Sequence, residues 1–255
     1  MIKRNIPNAI TCGNLFCGCL AIVNCFEGDL LWASYLVGIA AVLDFLDGFI
    51  ARLLHVSSPI GKDLDSLADM VTFGVVPGIM MYKIIQNAHI VLASDTLSSN
   101  AHEIYYPQYF AFIIPIFSAI RLAKFNHDTR QSESFIGLPT PANAIAICSI
   151  PLFIHTGVGL TDPFGISILQ SYIFDPVFLI VVSCILSFLL LAPIHLFALK
   201  FKNFKWQGNQ IRYLFLIWCI LLLVVLHFIG IPLIILSYII FSVANNWLFK
   251  EKKIA

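Results

Sequence analysis

Five acidic residues fall in one short stretch of an otherwise apolar chain, and four of them share a helical spacing. The stretch reads Asp44-Phe45-Leu46-Asp47-Gly48-Phe49-Ile50-Ala51-Arg52, then eight residues, then Gly61-Lys62-Asp63-Leu64-Asp65-Ser66-Leu67-Ala68-Asp69. On a helix Asp44, Asp47, Gly48, Ala51 and Arg52 recur at i, i+3, i+4, i+7 and i+8, which puts them on one face. Gly61, Asp65 and Asp69 recur at i, i+4 and i+8 on a second helix, and Pro59 and Gly61 mark the turn between the two. An antiparallel hairpin of these helices therefore gathers Asp44, Asp47, Asp65 and Asp69, while Asp63 points away as a solvated charge.

Four neighbouring carboxylates repel and partly protonate unless cations lie among them. Carboxylate oxygens suit hard divalent ions, Mg²⁺ or Mn²⁺, and the lack of nearby His or Cys argues against zinc. Two such ions balance four carboxylates and leave coordination positions open for a diphosphate. Gly48 and Ala51 lack bulk, so a large anionic headgroup can approach the backbone there. Arg52, one turn from Gly48, can pair with phosphate oxygens.

The elements that must position these acids belong in a bilayer. Of 255 residues 59% are hydrophobic and 11% charged, and mean hydropathy is +0.89. A carboxylate at mid-membrane costs about 2.5–3.5 kcal/mol on insertion scales, so acids kept in such a chain point to function. Hydropathy predicts an all-α, polytopic protein of about eight spanning helices, near 8–26, 30–52, 65–86, 106–125, 141–158, 175–199, 211–228 and 231–249. No linker or low-complexity tract divides them, which predicts one domain over 1–255, its catalytic part about 1–145 and its C-terminal helices 146–250. The first apolar stretch follows Lys3 and Arg4 without a convincing cleavage site, and is read as a helix rather than a signal peptide.

With eight crossings every Lys and Arg except Lys83 falls on one side, and the loops around 87–105 and 159–174 carry neither. The positive-inside rule then predicts both termini and the acidic hairpin on the cytoplasmic side of the inner membrane. A net charge of +1 divided between two faces makes no nucleic-acid patch. Seven cysteines lie in predicted helices without CxxC pairing and read as small apolar residues, and the seven histidines are too dispersed to form a ligand set.

The run D-x2-D-G-x2-A-R-x8-G-x3-D-x3-D, complete from Asp44 to Asp69, resembles the signature of the CDP-alcohol phosphatidyltransferases. The resemblance implies that Asp44, Asp47, Asp65 and Asp69 hold two divalent cations, with Asp69 also the general base. It implies that Gly48, Arg52, Ser58 and Gly61 contact the CDP part of a CDP-diacylglycerol donor. Pro7-Asn8-Ala9-Ile10-Thr11 is similar to the family's entry to its first helix, which places Asn8 and Thr11 beside the nucleotide. Arg121-Leu122-Ala123-Lys124-Phe125-Asn126 and Phe135-Ile136-Gly137-Leu138-Pro139-Thr140-Pro141-Ala142 resemble elements of the phosphatidylserine synthase branch, although Lys124 stands where Arg is usual and Asn143 where a small residue is commoner. That second likeness implies L-serine as acceptor, with Arg121, Lys124 and Asn126 as candidates to hold it, and CMP as the other product.

Other acceptors, glycerol phosphate, inositol phosphate or choline, stay open, as do a homodimer and a ping-pong route. A polytopic prenyltransferase would need aspartate clusters on two separated hairpins, whereas the later predicted helices carry only Asp175. A cation transporter would be expected to show internal repeats and broken mid-membrane helices, and neither is visible in the sequence.

Overall fold

The computed structural model describes residues 2–56, 58–95, 106–127, 134–156, 175–197 and 209–251. Position 57, Arg130, Lys200, Lys202, Lys205, Lys252, Lys253 and most of the two loops without Lys or Arg lie outside the described residues.

Helix α1 (Ile2–Glu27) ends at Gly28, whose φ of +89° suits glycine, and Asp29 then caps α2 (Leu30–Leu53) by accepting from the Trp32 N–H at 3.0 Å. The residues buried along α1 are Pro7, Thr11, Asn14, Gly18, Ala21 and Cys25, spaced alternately by four and three. Such a seam of small residues lets backbones approach closely. Its counterpart on α2 is Ala33, Val37 and Ala40.

A Schellman motif ends α2, in which Val56 N–H bonds Ala51 O at 3.0 Å, His55 N–H bonds Arg52 O at 3.2 Å, and His55 takes a φ of 52°. Ser58 then caps α3 (Pro59–Asp69), with Pro59 in the first turn. The predicted third helix, 65–86, thus begins earlier. It also runs unbroken through a π-helical turn, Met70–Val75, into α4 (Val76–Asp95). Pro77 accounts for the widening, since it lacks an N–H and its ring crowds the carbonyl four residues back, at Phe73.

A 3₁₀ turn (Pro107–Phe112) leads into α5 (Ile113–His127), followed by β1 (Ser134–Ile136), α6 (Thr140–Thr156) and α7 (Pro176–Leu191). The helix predicted over 175–199 stops short because Ala192 precedes Pro193 and is extended, ψ 136°. Residues beyond it form β2 (His195–Phe197), antiparallel to β1 with Phe135 opposite Leu196. The chain closes with α8 (Gln210–Leu226), a 3₁₀ turn (His227–Ile229) and α9 (Gly230–Glu251).

Among the described residues four helical stretches are long and apolar enough to cross a membrane: Asn5–Glu27, Pro59–Ile90, Pro107–His127 and Gln210–Val243. Thr140–His155 and Pro176–Leu191 are shorter and also apolar. Bulky apolar side chains face outward along these helices, among them Phe16 at 62%, Phe188 at 66% and Val224 at 68% exposure. A water-soluble surface would not carry so many. The protein is an all-α polytopic membrane protein, and among the described residues its strands form one short pair. Its main core lies where α1, α2, α4, α6 and α7 meet, around Val37, Phe73, Met80, Met81 and Ile147.

Candidate active site

The turn between α2 and α3 brings the two acidic faces together. Carboxylate oxygens of Asp44, Asp47 and Asp65 lie within 4.8 Å of one another. Oxygens sharing one octahedral ion at about 2.1 Å lie about 3.0 Å apart when adjacent and about 4.2 Å when opposite, so an inward movement of the three side chains would bring this trio onto one ion. The donors are all hard oxygens and among the described residues no His or Cys joins them, which fits Mg²⁺ or Mn²⁺ better than zinc. The trio can hold a divalent metal.

Asp69 adjoins the trio without belonging to that mutual approach. Its carboxyl is in hydrogen-bonding contact with that of Asp44, and Asn14 Nδ2 donates to its Oδ1 at 3.5 Å. Asp47, buried at 7% exposure, accepts from the Thr11 hydroxyl at 2.6 Å. Asp63 is exposed on α3, as its spacing requires.

Beside the carboxylates a cavity of about 250 Å³ is lined by Pro7, Asn8, Thr11, Asp47, Gly48, Ala51, Val56, Ser58, Gly61, Lys62 and Asp65. Nothing lies within 4 Å of where a Cβ on Gly48 would be, so packing does not demand glycine there. Gly61 differs: its Cβ would meet Asn8 Oδ1 at 2.9 Å and Ser58 Oγ at 3.0 Å. Ser58 Oγ also accepts from the Gly61 N–H at 2.9 Å, so one hydroxyl both caps α3 and lines the cavity.

The structure thus collects Asn8, Thr11, Gly48, Ser58 and Gly61 around one space next to the acids. It does not bring Arg52 there: Arg52 is exposed and absent from the lining. Lys62 lines the cavity instead, its Nζ donating to the Asn126 carbonyl at 3.0 Å. A basic residue inside the motif's variable gap was the signal for it.

The three acceptor candidates part company. Arg121 is buried on α5, its Nη1 donating to Thr140 Oγ1 at 2.9 Å, and its guanidinium is close enough to Asp69 to feel that charge. Lys124 is exposed. Asn126 donates through Nδ2 to Ser66 Oγ at 2.9 Å, which ties the end of α5 to α3.

The sequence model of the CDP-alcohol phosphatidyltransferases matches residues 4–244. The chain belongs to the CDP-alcohol phosphatidyltransferase family. It is 30% identical over 200 residues to the CDP-diacylglycerol–serine O-phosphatidyltransferase of Bacillus subtilis (strain 168), a match covering 78% of this chain and 91% of that protein. It is 37% identical over 145 residues to the protein so named from Helicobacter pylori (strain J99), covering 55% of this chain and 54% of that one. The protein of that name from Methanocaldococcus jannaschii is 32% identical over 142 residues, 56% of this chain and 58% of the relative. The shorter matches mean that the chain spans little more than half the length of those two relatives. As a member of this family of transferases the protein is an enzyme.

Proposed function

We propose that this protein transfers the phosphatidyl group of CDP-diacylglycerol to L-serine, giving phosphatidylserine and CMP, with its active site open to the cytoplasm at the inner membrane. The observation that carries the reading is the side-by-side placement of a carboxylate trio and a cavity whose floor, at Gly48, is open. The names of the relatives supply the serine.

In this reading Asp44, Asp47 and Asp65, with Asp69 beside them, hold two divalent cations, Mg²⁺ or Mn²⁺. When bound, these ions would neutralise the donor's diphosphate and make its phosphorus electrophilic. Gly48 and Ala51 leave room for the nucleotide end of the donor. Asn8, Thr11 and Ser58 offer it polar groups, and Lys62 offers a positive charge. Thr11 also holds the Asp47 carboxylate in place through its hydroxyl. Asp69 takes the proton of the serine hydroxyl as the hydroxyl oxygen bonds to phosphorus and the bond to the CMP oxygen breaks. Arg121 and Lys124 are basic groups on the side where serine arrives, and Asn126 holds α5 against α3. The acyl chains remain among the lipid-facing helices.

Purified protein given CDP-diacylglycerol and, in turn, radiolabelled serine, glycerol phosphate, inositol phosphate and choline tests this. Labelled phosphatidylserine with stoichiometric CMP is expected from serine alone, lost with a chelator and restored by Mg²⁺ or Mn²⁺. Product from glycerol phosphate but not from serine would overturn the acceptor assignment, and turnover indifferent to the chelator would overturn the metal assignment.

A further inference from the structure

A second cavity, of about 390 Å³, lies between α6, α7 and α9, and among the described residues none lines both it and the cavity beside the acids. Its floor is buried, at Ala146, Phe153 and Leu179, and its rim is exposed, at Ile185, Leu233 and Leu236. Ser149 is the one polar residue among the described lining, and its hydroxyl donates to the Ala146 carbonyl at 2.7 Å. The space therefore offers a ligand no charge and no free polar group.

Along α7 the lining runs from Phe178 to Leu189, about 16 Å at 1.5 Å per residue. That is close to half of a hydrocarbon core about 30 Å thick, the depth that the tails of one leaflet fill. The cavity is thus a slot along the helices. At one end it meets Ile229 of the 3₁₀ turn, and at the other the packed cluster of Leu138, Ala146 and Ile235 with Ala142 and Leu189. Leu138 and Ala142 stand on either side of Thr140, the residue that bonds Arg121, so this cluster separates the slot from the acids.

Protein interiors hold few voids larger than a water molecule, and an apolar space does not order water. Hydrocarbon must fill the slot, and its rim opens to the lipid-facing surface. A helix from a second copy, about 10–12 Å across with its side chains, would rest on the exposed rim and leave the buried floor empty. A flexible tail reaches both. We propose that the slot holds one acyl tail of a bilayer phospholipid that is neither substrate nor product, and that this tail completes the packing of α9 against α6 and α7.

The test strips the purified protein of lipid in mild detergent and adds dioleoylphosphatidylcholine, whose headgroup takes no part in the proposed reaction. Native mass spectrometry should count one such lipid retained per chain, with a raised unfolding temperature. Dihexanoylphosphatidylcholine, the same headgroup on short tails, should be retained about tenfold less well or worse. Ile185→Trp and Leu236→Trp narrow the mouth from its two sides, and each should weaken retention of the dioleoyl lipid by about tenfold or more. Val224→Trp, on the exposed face of α8, should retain it as the wild type does. Equal retention in all three variants would overturn the slot. Complete displacement by equimolar CDP-diacylglycerol would give the slot to the donor, and a rim variant that turns a dimer into a monomer with its lipid kept would give it to a second copy; either result overturns the proposal. If one rim variant fails to fold, the other decides.

Discussion

Asp69 differs from its three neighbours in what surrounds it. Carboxylate oxygens of Asp44, Asp47 and Asp65 lie within 4.8 Å of one another, whereas Asp69 touches Asp44 on one side and the Asn14 amide on the other. It lies one turn beyond Asp65, about 6 Å along the helix at 1.5 Å per residue, and so can face the acceptor while the trio faces the donor. Asp44→Asn, Asp47→Asn and Asp65→Asn should each weaken Mn²⁺ binding to the purified protein by tenfold or more, measured by the loss of free-ion signal in electron paramagnetic resonance. Asp69→Asn should keep most of the Mn²⁺ and CDP-diacylglycerol affinity and lose turnover. Asp63→Asn, on the exposed face, should change neither. Equal loss of metal in the Asp69 and Asp44 variants would leave Asp69 as a ligand with no separate part in the chemistry.

At the scale of elements, the hairpin was legible because its acids repeat at helical spacing, and the Ser58-Pro59 cap and the Ala192-Pro193 stop are signals a hydropathy window averages away. The π-helical turn has no such signature beyond Pro77. Nor could spacing find Asn14, which bonds Asp69, since a lone polar residue on an apolar helix makes no pattern. Arg52 shows the converse: its register on α2 was readable, but the Schellman turn that follows leaves its side chain exposed. The π-helical turn presses Thr72 into α1, where its hydroxyl donates to Asn14 O at 3.3 Å and a Cβ on Gly18 would collide with Thr72. Gly18→Ala should therefore destabilise the protein by about 1–3 kcal/mol through overpacking. Gly38→Ala on α2, with nothing within 4 Å of the new Cβ, should be neutral or stabilising by up to about 1 kcal/mol. Thermal unfolding in one detergent compares them, and a Gly18 variant as stable as the Gly38 variant would mean that α1 does not bear on the turn.

For the whole molecule the open question is which face of the membrane the site addresses. Every Lys and Arg but Lys83 falls on the side of the acidic hairpin when eight helices alternate in direction, and the observed helices, with Pro59–Asp95 taken as one, number eight among the described residues. Lys83, the exception, lies over the Phe26 ring near the end of α1, 5.6 Å from its centroid, at the opposite end of that helix from Asn8 and Thr11. In the proposed reaction serine and CMP are charged, water-soluble molecules of the cytoplasm, so a site on the other face would lack both supply and outlet. Single cysteines introduced into a variant without its native ones test the orientation at two exposed positions, Asp63 on α3 and Tyr106 before the 3₁₀ turn. In intact cells an impermeant maleimide should label Tyr106→Cys and spare Asp63→Cys, and opening the membrane should expose both. Labelling of Asp63→Cys from outside, with Tyr106→Cys protected, would invert the protein and with it the side on which its lipid product is made.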